Sequence, residues 1–230
     1  MIEKFFALLA SFIAVVLTLT FHEFAHAYAA YRSGDLTAKL EGRMTLNPTK
    51  HIDPLGAIMF ALAGFGWAKP VPINPYNFNN YKKGCFWTAV AGVLTNYVMA
   101  FLFYPLLIVV ILKVIPIFEG TYMAGFLLTL FSSLYAYSLG FCIFNLIPLY
   151  PLDGFRIIEA VNKKGGAIYR FLRDKGQLVL LILILVHYLA NHIYYLAYID
   201  VLGYFMLFAE TILAKPIMWS WNWLLELIFY

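Results

Sequence analysis

His22-Glu23-Phe24-Ala25-His26 matches the pattern H-E-x-x-H. At about 100° per residue, two histidines four apart lie roughly 40° from each other on one helical face, with the glutamate flanking them. That spacing lets two imidazoles hold one zinc ion while the carboxylate reaches a water on the metal. The setting strengthens the reading. The three ionisable groups stand at the end of a stretch without charge, residues 5–21 (FFALLASFIAVVLTLTF), and a charged group in the middle of a bilayer costs at least ~2.5 kcal/mol unless partnered. A catalytic zinc needs a third protein ligand, and the candidates are His51, Asp53, Asp153, His187, His192 and Asp200. Asp153 stands out because Pro148 and Pro151 precede it and Gly154 follows it. Proline inside a helix removes a hydrogen bond and clashes with the preceding turn, and irregular backbone at membrane depth is tolerated only where protein buries it or a wet cavity adjoins it.

The elements that must position these groups follow from composition. Of 230 residues 63% are apolar and 12% charged, about half the roughly 25% charge of an ordinary soluble domain. Soluble and disordered chains are excluded, and a multi-spanning membrane protein remains. At about 20 residues per span, the length allows up to six spans and no sizeable extramembrane domain. The net charge of +4 comes from dispersed basic residues, so nothing points to nucleic acid. Cys85 and Cys142 sit beside apolar sequence and read as packing residues.

The first apolar stretch can continue as a helix to Tyr31 and reads as a retained span. Ala27-Tyr28-Ala29 resembles a signal-peptidase site, but that cut would fall directly after the H-E-x-x-H residues. Residues 32–51 are polar, with turn signals and room for short strands; 52–68 are apolar but short and rich in Pro and Gly. Residues 69–84 carry Pro70, Pro72 and Pro75 and favour an extended path. Long apolar stretches follow at 85–112 and 122–147, then the basic connection 154–176. Residues 177–213 are apolar apart from His187, Asn191, His192 and Asp200, and a Trp-rich piece, 217–230, ends the chain. Asp153 shares a membrane face with the histidines only if 52–68 dips into the bilayer and returns. Loops 32–51, 69–84 and 154–176 then share a side and carry 13 of the 16 basic residues, which makes that side cytoplasmic by the positive-inside rule. The expected fold is an all-α polytopic membrane protein: a bundle of about five to six transmembrane helices, with a re-entrant segment and short β-strands in the cytoplasm-side loops. Residues 1–230 form a single membrane-embedded domain, with a core at about 5–160 and C-terminal helices at 177–230.

HEFAH in one span and Asn145-x-x-Pro148 with Leu152-Asp153-Gly154 after a later one resemble the site-2 protease family of intramembrane zinc metalloproteases. GRMTLNPTKHIDPLG (42–56) and GWAKPVPINPYNF (66–78) resemble its compact bacterial-type members, without PDZ or CBS domains. The resemblance covers about residues 15–160. It implies one zinc per chain held by His22, His26 and Asp153, with Glu23 as catalytic acid/base. A Gly-Pro-x-x-Asn element of the family corresponds to Gly92-Val93-Leu94-Thr95-Asn96, where Val93 replaces the usual proline. Asn96 and Asn145 are then candidate catalytic residues that assist the oxyanion. The implied function is hydrolysis of transmembrane protein substrates in the bacterial cell membrane, with the active site toward the cytoplasm; the sequence names no regulatory partner. The competing reading is a divalent-metal transporter, since intramembrane His and Asp also mark ion paths and the resemblance assigns no role to His187, Asn191, His192 and Asp200.

Overall fold

The computed structural model describes residues 2–64, 66–162 and 165–229; Phe65 in the short apolar segment and Lys163 and Lys164 in the basic connection lie outside the described residues. The described chain is helical, with one isolated antiparallel bridge, Ile52 to Ala68.

Helix α1 (Ile2–Arg32) carries the H-E-x-x-H residues, with Glu3 in its first turn and Arg32 in its last, each at the end where the helix dipole favours its charge. Thr18 and Thr20 donate their hydroxyls back to the carbonyls of Ala14 and Val16 at 2.9 and 2.7 Å, which satisfies both groups within the span. Helix α2 (Thr37–Leu40) and a 3-10 turn at Pro48–Lys50 occupy the polar loop. The short strands expected there are not seen among the described residues. Side chains supply local turn bonds instead: Asp35 accepts from the Thr37 amide at 3.1 Å and Asn47 from the Thr49 amide at 3.1 Å.

Helix α3 (Pro54–Ala63) is capped by Asp53, which accepts from the Gly56 amide at 2.9 Å, and stops at Gly64, whose φ of 70° is left-handed. Ten residues of helix rise about 15 Å, half a bilayer core. The Ile52–Ala68 bridge and the Lys69 amide on the His51 carbonyl (2.8 Å) bring the segment's two ends together.

Helix α4 (Tyr81–Val109) continues through a π turn and a 3-10 turn to Ile117, and α5 (Tyr122–Asn145) begins at Thr121, which accepts from the Ala124 amide. The chain unwinds at Leu146–Leu152, where the prolines predicted a break, and α6 (Asp153–Val161) starts on the aspartate. Helices α7 (Ala167–Asp174), α8 (Gly176–Ala190) and α9 (Val201–Phe229) follow. The apolar run 177–213 is divided around Asn191–Asp200, while 217–230 is no separate piece: α9 runs through Pro216, and Ser220 donates to the Pro216 carbonyl at 2.8 Å.

Helices α1, α4 and α5 pack mutually and form the centre of the bundle, with α6 against α4. Tyr104, Leu139, Ile143 and Ile217 join α4, α5 and α9 in a common core. Among the described residues four helices, α1, α4, α5 and α9, are long and apolar enough to cross a membrane; α8 is shorter. Only 22–33% of their most apolar windows is buried within the chain. Outward surface of that kind marks a membrane protein.

Candidate metal centre and its cavity

The last turns of α1 and the start of α6 bring His22, His26 and Asp153 together, all buried. The histidine Nε2 atoms are 2.9 Å apart, and Asp153 Oδ2 lies 3.3 Å from that of His22 and 3.1 Å from that of His26. Tetrahedral zinc with bonds of 2.0–2.1 Å sets its ligand atoms roughly 3.3 Å apart. Among the described residues this is the group able to hold a metal ion. Asp153 Oδ2 is buried and has no hydrogen-bond partner, an expensive condition that a cation would relieve.

One face of α4 braces the imidazoles from behind, through positions 88, 92 and 96. His26 Nδ1 lies 2.7 Å from the Thr88 carbonyl, which can only accept, so Nδ1 carries the proton and Nε2 faces the cluster as a lone pair. Asn96, fully buried, places its amide 3.0 Å from His22 Nδ1. With Oδ1 turned to that nitrogen, His22 also holds its proton on Nδ1 and offers Nε2 to the cluster. That orientation exchanges the amide's two ends, bringing Oδ1 to the ring nitrogen in place of Nδ2. Between the two, Gly92 lets the rings approach its backbone: a Cβ there would lie 2.4 Å from His26 Nε2 and 2.6 Å from His22 Cε1. The donor set, the orphaned oxygen and this cradle fit a bound cation.

Glu23, also buried, accepts the Val71 backbone N–H at 2.8 Å. Val71 belongs to the extended proline-rich segment, which is tied at both ends. Buried Arg43 donates through Nη2 to the Lys69 and Pro70 carbonyls at 2.8 and 3.2 Å. Asp35, fully buried, accepts the Asn74 amide at 2.7 Å and the Asn77 side chain at 2.8 Å. Burial pushes the Asp35 carboxyl up, but the hydrogen bonds from Thr37, Asn77 and Asn74 outweigh it and hold it below its usual value.

A cavity of about 590 Å³ opens on the cluster, lined by His22, Glu23, His26 and Asp153 with Trp67, Val71, Phe141, Asn145 and His187. Asn145 donates to the Phe141 carbonyl at 3.1 Å and faces this cavity, whereas Asn96 sits behind His22. The other candidate third ligands are engaged elsewhere. Asp53 caps α3, His51 reaches the Thr45 carbonyl at 2.8 Å, His192 lies 3.0 Å from the Tyr188 carbonyl, and His187 pairs with Asp200. The residues a transport path would have used therefore do not gather into a second metal group among the described residues. Sequence reasoning missed Thr88, Val71 and Arg43. Thr88 and Val71 act through backbone atoms, which residue type does not encode; the one available signal was that Val71 carries the lone N–H between two prolines.

By comparison with known proteins, the chain belongs to a family of zinc metalloproteases. It is 41% identical over 156 residues, 66% of this chain and 69% of the relative, to the Bacillus subtilis (strain 168) protein named putative zinc metalloprotease YwhC. A protein of Mycolicibacterium smegmatis named putative zinc metalloprotease Rip2 is 26% identical over 191 residues, 80% of this chain and 69% of its own length. The Rip2 of Mycobacterium tuberculosis (strain ATCC 25618 / H37Rv) is 29% identical over 150 residues, 63% and 54% respectively. No family model matches the chain, and no solved structure matches it significantly.

Proposed function

We propose that the chain is an intramembrane zinc endopeptidase of the site-2 protease type, acting on transmembrane protein substrates in a bacterial cell membrane with its active site toward the cytoplasm. The observation that carries this reading is the buried His22–His26–Asp153 cluster, with Glu23 on the same cavity, at the end of an apolar span. The joined ends of the 52–68 segment support a re-entrant path, and that path keeps both halves of the cluster on the membrane side richest in Lys and Arg.

His22, His26 and Asp153 hold one zinc, which when bound supplies a Lewis acid that polarises the scissile carbonyl and makes water nucleophilic near neutral pH. Glu23 takes the proton of the attacking water and returns it to the leaving amine. The Val71 N–H keeps one carboxylate oxygen occupied and directs the other to the reacting atoms. Asn145 donates to the developing oxyanion from the cavity wall. Asn96 and the Thr88 carbonyl act one step back, fixing ring orientation and tautomer. The substrate helix must unwind to expose its carbonyls, and the dimensions of the cavity suit a short extended stretch of chain.

The test pairs elemental analysis with cleavage of a transmembrane reporter. Glu23→Gln is expected to keep one zinc and lose cleavage, while Asp153→Ala loses the metal itself. Undiminished cleavage by the zinc-loaded Glu23→Gln variant would remove the proposed mechanism.

A further inference from the structure

The 177–230 region supplies a wall of the same cavity, and with it a polar device that the metal cluster does not use. His187, near the end of α8, lines the same cavity as the α1 residues His22, Glu23 and His26. Its Nδ1 lies 2.8 Å from Asp200 Oδ2 in the connection before α9, and Asp200 Oδ1 accepts the Gly203 amide at 2.8 Å. The aspartate is therefore held at two points, by the first turn of α9 and by the imidazole. Room for the pair is carved from that turn: a Cβ on Gly203 would stand 2.1 Å from Asp200 Oδ2 and 3.0 Å from His187 Nδ1. A simple latch between two helices would be covered on both sides. Here the Asp200 side chain is 15% exposed and that of His187 is 43% exposed, and His187 is one of the residues that line the cavity.

We infer that His187, oriented by Asp200, is a substrate-binding residue whose Nε2 accepts a backbone N–H of the unwound substrate segment. The inference rests on the protease reading above and names one contact by which that site would grip a peptide. An Asp200 carboxylate only accepts, so a neutral His187 keeps its proton on Nδ1 and presents Nε2 as a lone pair. A peptide pulled out of its helix exposes unpaired N–H groups, and leaving one unsatisfied in an apolar cavity is costly. His187 answers that need from the part of the cavity wall that α8 supplies.

Asp200→Asn separates this role from a structural one. Asparagine still accepts the Gly203 amide and caps α9 as well as aspartate does. Its NH₂ group, however, donates to His187 Nδ1, moves the ring proton to Nε2 and removes the acceptor. Binding is read without turnover on a zinc-loaded Glu23→Gln background, by fluorescence of a labelled Leu/Ala transmembrane peptide with a central Gly-Pro pair, in micelles. His187→Ala and Asp200→Asn are expected to weaken binding about three- to tenfold, the size of one net hydrogen bond. His187→Gln, whose side-chain oxygen can replace Nε2, should bind within about twofold of the parent by the same measure. Zinc content and melting temperature should be unchanged for Asp200→Asn. With Glu23 restored, KM should rise by the same factor and kcat stay, as for a contact made equally in ground and transition states. Parent-like peptide binding by zinc-loaded Asp200→Asn or His187→Ala would overturn the inference and reduce the pair to a helix latch. Absence of binding by the parent itself, with zinc in place, would instead overturn the protease reading on which the inference stands.

Discussion

Gly92→Ala should abolish metal binding while leaving the helix that carries it intact. The added methyl would stand 2.4 Å from His26 Nε2 and 2.6 Å from both imidazole Cε1 atoms, where ordinary contact begins at 3.4 Å. About 1 Å of movement is therefore demanded of two rings at once. Neither can yield alone, since His26 is held by the Thr88 carbonyl and His22 by Asn96. A zinc site tolerates ligand displacements of about 0.2 Å. The required shift is several times larger, so zinc affinity should fall by at least the ten- to hundredfold typical of losing one outer-shell partner. Alanine is otherwise the better helix former by roughly 0.5–1 kcal/mol, which makes the substitution a sharp probe. Gly125→Ala on α5 is the control, because a Cβ there meets nothing within 4 Å. The assay is competition for zinc against a chromophoric chelator in detergent, with thermal melting followed in parallel. Gly125→Ala should bind zinc like the parent and melt slightly higher; Gly92→Ala should lose zinc without unfolding. Parent-like zinc affinity in Gly92→Ala would refute the assignment of this cluster as the metal site.

Three further outcomes are expected. Asn96→Ala should weaken zinc binding about ten- to hundredfold, measured by the same competition, because His22 loses the partner that fixes its tautomer. Arg43→Ala strands the Lys69 and Pro70 carbonyls and should cost about 2–3 kcal/mol in denaturant unfolding; cleavage should fall with zinc content unchanged, and Arg43→Lys should recover part of it, since a flexible ammonium carries the same charge without the planar group that sets Nη2 between the two carbonyls. The Asp35 carboxyl is held below its unfolded value of 3.8, so its stabilisation is complete above that pH and is lost as pH falls through the lower folded value. Acid unfolding curves of the parent and Asp35→Asn should therefore converge below about pH 4 and separate above it.

Much of the site was legible because its chemistry lay in side chains at fixed spacing. His22 and His26 had to share a helical face, and the prolines before Asp153 announced the break that lets α6 begin on a ligand. Three of the apolar stretches, 5–21, 85–112 and 122–147, became span-length helices for the same reason of composition, and α9 joins parts of 177–213 and 217–230. What escaped notice depends on groups that residue type does not reveal. The Thr88 carbonyl and the Val71 amide are backbone atoms, and Arg43 resembles any loop cation until its fold partner is known. The 32–51 region left room for short strands, yet Asp35 and Asn47 spend their oxygens on local amides and tighten it into helical turns. In the C-terminal region Asn191, His192 and Asp200 stood out within the apolar run and fall where it divides, whereas the Trp-rich piece 217–230 read as separate although α9 runs through Pro216.

The proline pattern around Val71 has a consequence for positional accuracy. Glu23 meets one backbone hydrogen of the extended segment, and the residues on either side, Pro70 and Pro72, carry none. A slip of one residue in either direction would present the carboxylate with a ring carbon in place of a donor. The segment thus works as a ruler with a single mark: only one alignment of the strap against α1 satisfies the glutamate, and neighbouring alignments are rejected by the absence of an atom.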